Sequence, residues 1–342
     1  DTRRARLPWR RQEPGRPARA TRGALTMGSD AIGSGSNVHG FSHGADGHAS
    51  VAAVSSSGGT TGGQYAVTGG TLLLSPGSER DPWVGRVGSV LGIELFVHYL
   101  LPAVIVLEIL NYSVAGGGAG AVLGLMIGLT LFATVLVHEL GHAKMASHVG
   151  GSCEKITLWP LGGLAMCATP TADHGAAVKV ALAGPATHLP LGLLFWLLQL
   201  SCGDLSGPSP YLHDLKDFDR LWCNYTSAVC WMNIQLLIFN MLPAYPLDGG
   251  RVLASALLFN GKSSNDAARI TCFVAAPIGS AVLGVGIYQM LGSFSGGILT
   301  ILVGAWMLMQ VWTVWQLQAQ GRAEHHPLFM TTTTAQGQAG NV

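Results

Sequence analysis

His138-Glu139-Leu140-Gly141-His142 closes an uncharged run, AGAVLGLMIGLTLFATVLV, that reaches from Ala119 to Val137. The run is about as long as a bilayer core is thick. On a helix, residues four apart share a face, so His138 and His142 present two imidazoles to one point. That spacing suits one zinc ion. Glu139 stands beside them, where a carboxylate can accept a proton from an attacking water. Water-activating residues at the end of an apolar run point to hydrolysis of peptide bonds in or near a membrane.

Outward from the motif, the composition agrees. The chain has 342 residues, 49% of them hydrophobic and only 11% charged, with a mean hydropathy of +0.38. Soluble domains carry about 25% charge. The fold class expected is an all-α polytopic membrane protein with about six transmembrane helices, at roughly 97–115, 119–146, 176–202, 223–243, 268–291 and 296–317. Gly184-Pro185 interrupts the third, and Pro277 with several glycines lies in the fifth. The segment from Gly150 to Ala168 is too short and turn-rich to span. It reads as a small β-hairpin after the second helix, turning at Gly162-Gly163, with an edge strand able to pair with an unwound substrate. A net charge of +1 gives a nucleic-acid partner no electrostatic support.

Loop charges orient the spans. With six spans, one side carries Arg80, Arg86, Lys144, Lys155, Lys179, Arg251, Lys262, Arg269 and Arg322, and the other only Lys216 and Arg220. The positive-inside rule then puts both termini on the cytoplasmic, stromal or matrix side. The second and fourth spans run toward that side. They deliver His138–His142 and the segment Asn240–Arg251 to the same depth.

Catalytic zinc takes three protein ligands and keeps one position open. His148 completes a His-x3-His-x5-His spacing, but Met145 stands where a turn-making glycine is required. On a continuing helix His148 points roughly 120° away from His142, and it reads as a helix-end histidine. Glu154 and Glu324, the only glutamates after Glu139, lie on no apolar helix. Asp248 follows two prolines and precedes two glycines. Alone it would read equally well as a helix cap. Beside the two histidines at membrane depth, where an acid needs a cation, it reads as the third ligand.

The rest of the chain is less specific. Residues 1–80 are rich in Gly, Ser, Ala and Thr, and eight of the nineteen Lys/Arg are arginines before position 23. This stretch reads as a disordered leader, part of a transit peptide or sequence upstream of a true start at Met27. Residues 81–320 form the expected catalytic domain and 321–342 a disordered tail. Cys202 and Cys223 bracket one polar loop, as a bridge or as two buried thiols. His98 and Glu108 read as interfacial, His39, His43 and His48 as part of a solvated linker, and Trp306, Trp312 and Trp315 as packing and belt residues. Asn240 reads equally as a donor to the substrate and as a helix-end hydrogen bond.

These residues resemble the site-2 protease family of intramembrane zinc metalloproteases (peptidase family M50). The resemblance rests on His138-Glu139-Leu-Gly-His142, on Asn240-x2-Pro-x2-Pro-Leu-Asp248-Gly, on Gly162-Gly163 and on Ala183-Gly184-Pro185, over roughly residues 85–315. It implies one Zn2+ per chain held by His138, His142 and Asp248, with Glu139 as catalytic base. The substrate it implies is a single-pass membrane protein cut within the lipid bilayer. Members usually have Asn three residues after Gly-Pro, where this chain has His188, and no segment is long enough for a PDZ or paired CBS domain. Two other readings are a proteolytically inactive membrane scaffold of the same fold and an ion transporter using intramembrane His and Asp. The absence of two similar halves speaks against the transporter.

Overall fold

The structure, a computed structural model of the chain, describes residues 65–67, 82–170, 173–203, 214–292 and 294–329. Strands β2 (Val84–Val90) and β3 (Ile93–His98) form a hairpin whose two turn residues, Leu91 and Gly92, both have positive φ. Such a turn matches the twist of the strands it joins. Helix α1 (Leu101–His148) leads to a second hairpin, β4 (Ser152–Trp159) and β5 (Gly162–Pro170). β3 and β4 lie side by side and parallel. Parallel neighbours need a long crossover, which here is the whole of α1. With β1 (Tyr65–Val67) on the far side of β5, the sheet order is β1-β5-β4-β3-β2.

The protein is therefore mostly helical but not all-α. The expected hairpin is part of a five-stranded mixed sheet, and β2 and β3 precede the first helix where a span from residue 97 was expected. The β4–β5 turn also falls earlier, at Pro160-Leu161. Gly162 and Gly163 already pair with Trp159 and Leu158 in the ladder. β1 lies inside the expected leader, most of which is outside the described residues.

α1 is not one rod. Gly117 has φ 56° and ψ −132°, a backbone conformation open to glycine and closed to L side chains. Beyond it Gly120, Gly124 and Gly128 lie against the backbone at Tyr112, Glu108 and Ile105. The element thus folds back on itself as two antiparallel legs, and a small-residue stripe lets the legs touch.

Helices α2 (His174–Ala186) and α3 (His188–Gln199) follow, broken at Thr187. Asp173 caps α2 by accepting the Ala176 N–H. α4 (Leu221–Asn240) ends where Met241 to Leu247 turn the chain into α5 (Asp248–Phe259). α6 (Ser264–Gly292) and α7 (Phe294–Ala319) pair as a second long hairpin. Among the described residues, four stretches are long and apolar enough to cross a membrane: Leu101–His148, His174–Cys202, Ser264–Leu291 and Gly297–Ala319. α4 is less apolar because it turns Asn224, Thr226, Ser227 and Asn233 into the protein. Outward faces carry large apolar side chains such as Ile238, Phe273, Tyr288 and Leu291, as an integral membrane protein requires.

Two cores hold the assembly. In one, Phe132, Ala143 and Ala146 of α1 pack on Ile156, Leu158 and Ala165 of the sheet and Val180 of α2. In the other, α5, α6 and α7 close around Ala254, Cys272, Met307 and Val314, sealed by Phe329. Phe329 is fully buried, so order continues into the segment expected as a tail. Cys202 pairs with Cys223, and Cys153 with Cys167 directly across β4 and β5. The second pair was not legible in the sequence.

Candidate metal centre

The second leg of α1 ends against the sheet, and its last buried turns carry His138, Glu139 and His142. Asp248 is the first residue of α5, more than a hundred positions away. All four are at most 6% exposed. His138 Nε2 is 3.0 Å from His142 Nε2 and 3.1 Å from Asp248 Oδ2, and His142 Nε2 is 3.3 Å from the same oxygen. Tetrahedral zinc with ligands at roughly 2.0–2.2 Å spaces its donors about 3.3 Å apart. The triangle fits that ion.

The donor chemistry fits as well. His142 Nδ1 donates to the Val180 carbonyl at 2.7 Å, and a carbonyl can only accept. A neutral His142 therefore turns its Nε2 lone pair toward His138 and Asp248. Arg251 Nη1 donates to Oδ1 of Asp248 at 3.3 Å, which leaves Oδ2 for the centre. Converging lone pairs in a buried place are costly unless a cation takes them. The three side chains can hold one metal ion.

Two glycines make room. A Cβ on Gly184 would overlap Nε2 of both His138 and His142, so Gly184, inside α2, is where a helix backbone comes up against the two imidazoles. A Cβ on Gly163 would overlap the Glu139 side chain. The outer edge of β5 thus lies directly on Glu139, whose Oε2 accepts the Ala165 N–H at 2.9 Å. The centre opens on a cavity of about 310 Å3 whose walls include Trp159, Phe239, Asn240, Tyr245 and Trp306.

Other expected residues sort out by position. Gly162 and Gly163 border the cavity. Asn240 borders it too, with Nδ2 donating to the Leu236 carbonyl at 3.0 Å, which is the helix-end bond. His148 is exposed at the end of α1. Glu154 is exposed on β4, and Glu324 lies beside His325 in the C-terminal segment. His98 accepts the Leu100 N–H at the start of α1. Arg251, Asn233 and the segment His326–Leu328, which also lines the cavity, were missed. Arg251 lies three residues after Asp248 in the first turn of α5 and was countable only as a loop charge. The other two carry no pattern of their own.

The description "Peptidase family M50" matches residues 126–206 and 199–282, which between them include every residue of the centre. A Synechocystis protein named as a zinc metalloprotease is 31% identical over 247 residues, covering 70% of this chain and 61% of its own. Rip3 of Mycobacterium tuberculosis, named likewise, is 31% identical over 184 residues, or 50% of this chain and 43% of its own. The solved site-2 protease from Methanocaldococcus jannaschii is 23% identical, with a TM-score of 0.44 over 68% of this chain and 94% of that one. The chain spans less than two thirds of the two curated relatives' lengths. The buried His-His-Asp triangle and its adjoining glutamate lie inside the matched span, in a mostly helical chain with helices long and apolar enough to cross a membrane. Residues 126–282 of this chain match peptidase family M50.

Proposed function

We propose that this protein is a zinc-dependent intramembrane endopeptidase. His138, His142 and Asp248 hold one Zn2+, Glu139 is the base, and the substrate is a single-pass membrane protein cut in or near its transmembrane segment. The observation that carries the reading is the triangle of 3.0, 3.1 and 3.3 Å with Glu139 one residue from His138. Bound zinc would supply a Lewis acid for the scissile carbonyl and make the attacking water more acidic. Glu139 accepts that water's proton and returns it to the leaving amine. With Oε2 anchored at Ala165, its other oxygen serves the water.

A helical substrate shields its peptide bonds, so it has to open first. β1 pairs only with Ala168–Pro170 of β5. From Gly162 to Met166 the outer edge of β5 has no partner strand among the described residues. An unwound substrate segment adding to that edge beside Gly162 and Gly163 would lie along Glu139. Asn240 lines the same cavity, and its Nδ2 has a second N–H that would serve the substrate carbonyl or backbone. The nine-to-two charge split supports six crossings, α1 supplying two through Gly117 and α4 one, with both termini on the cytoplasmic, stromal or matrix side. The catalytic domain in this reading runs from residue 81 to Phe329.

The test is purified full-length protein in lipid. Stoichiometric zinc and cutting of a model transmembrane substrate are expected, with cutting abolished and zinc kept in Glu139→Gln. Zinc without cleavage of any substrate tried would favour the scaffold. Ion flux that survives Glu139→Gln would favour the transporter.

A further inference from the structure

His188 stands where, by the resemblance, the family usually has Asn, and although it borders the cavity its ring nitrogens are both engaged. Its Nε2 is 3.0 Å from Nδ1 of His138, and its Nδ1 is 3.1 Å from Oδ1 of Asn233. Asn233 in turn donates its Nδ2 to the Val229 carbonyl at 2.9 Å, one turn back on α4. His188 is 3% exposed and Asn233 fully buried.

The protons along this row can be assigned from its far end. The Val229 carbonyl only accepts, so Asn233 must present nitrogen to it and oxygen to His188. That oxygen accepts from His188 Nδ1–H. A neutral His188 then has its lone pair on Nε2, which accepts from His138 Nδ1–H. His138 is thereby fixed with its proton on Nδ1 and its lone pair on Nε2, facing His142 and Asp248. The row runs from α4 through the first residue of α3 to α1, so three elements agree on one tautomer.

We propose that His188 is a positioning residue for the metal centre: with Asn233 behind it, it locks His138 in the tautomer and ring orientation that ligation requires. It does for His138 what the Val180 carbonyl does for His142 and what Arg251 does for Asp248. Partners of this kind are worth about 10–100-fold in metal affinity. The inference rests on the zinc reading of the centre.

The test is zinc affinity by chelator competition and the visible spectrum of the Co2+-loaded protein, for wild type and three variants. His188→Gln places an oxygen close to where Nε2 stands and keeps an acceptor for His138. His188→Asn keeps the reach to Asn233 and loses the reach to His138. His188→Leu keeps bulk and loses both. Zinc affinity is expected to fall about 10–100-fold in Asn and Leu, with an altered cobalt spectrum, and to recover by about tenfold in Gln. Equal affinity in all four proteins, or Gln no better than Leu, overturns the proposal. A wild type that loads no zinc overturns it together with the metalloprotease reading, whereas a zinc-loading wild type with the same affinity in every variant overturns it alone. A measurement without variants is 15N NMR of histidine-labelled, zinc-loaded wild type. It should find His138 protonated at Nδ1, and an unprotonated Nδ1 there would sink the idea.

Discussion

Each side chain of the His-His-Asp triangle is held from behind by a different kind of group. His142 has a backbone carbonyl, Asp248 a guanidinium and His138 a second imidazole. The room they need comes from Gly184. Gly184→Ala should push both imidazoles out of line while leaving the helix able to form. Misplacing reacting groups by about an ångström costs roughly 100-fold in rate, so cleavage should drop at least that far with zinc content falling too. Wild-type zinc content in this variant, read by elemental analysis, would contradict the packing described. Gly163→Ala separates the two roles. Its methyl meets Glu139 and not the His-His-Asp triangle, so zinc should stay while turnover falls. At this scale the histidine pair and Glu139 were legible because three ligand-type residues in five positions leave little choice. His188, Asn233 and Val180 were not, because a hydrogen bond between separate helices leaves no spacing to read.

Among the elements, α1 depends on Gly117. An alanine there would be forced into a conformation that costs about 1–3 kcal/mol, so Gly117→Ala should lower the unfolding temperature and open the hairpin. Cysteine cross-linking between the legs is the measurement. The C-terminal segment gives a pH effect. His326 is buried edge-on to Tyr245, and its Nδ1 accepts the Leu328 N–H. Burial pushes its pKa down to about 4. Above about pH 6.5 the imidazole is neutral whether the segment is packed or free. Below that the free segment gains a proton that the packed one refuses until about pH 4, so packing weakens as pH falls from 6.5 to 4. Hydrogen exchange of residues 323–329, corrected for intrinsic rate, should rise over that window. His326→Gln should flatten the response.

For the whole molecule, a metal held as proposed would join elements that the chain keeps apart. α1 carries two corners of the His-His-Asp triangle and α5 the third, 110 residues after His138. A ligand that binds the folded state alone stabilises it in proportion to the logarithm of its concentration over Kd. Chelation should lower the unfolding temperature by several degrees, and zinc should restore it. The shift should be the same in Glu139→Gln and much smaller in Asp248→Asn. Equal shifts in both would mean that the metal binds somewhere else.

The sequence alone determined the apolar helices, the histidine pair with its glutamate, and a distant aspartate flanked by Pro and Gly. Each of these is written in local composition or in a spacing that one helix turns into a face. Tertiary structure alone decided that the hairpin belongs to a five-stranded sheet, since β3 and β4 pair only after α1 has folded back at Gly117. It also decided that the β5 edge lies on Glu139 and that His188 faces His138. Those are contacts between surfaces far apart in the chain. Long-range packing sets them, and no period of 3.6 or 2 records it.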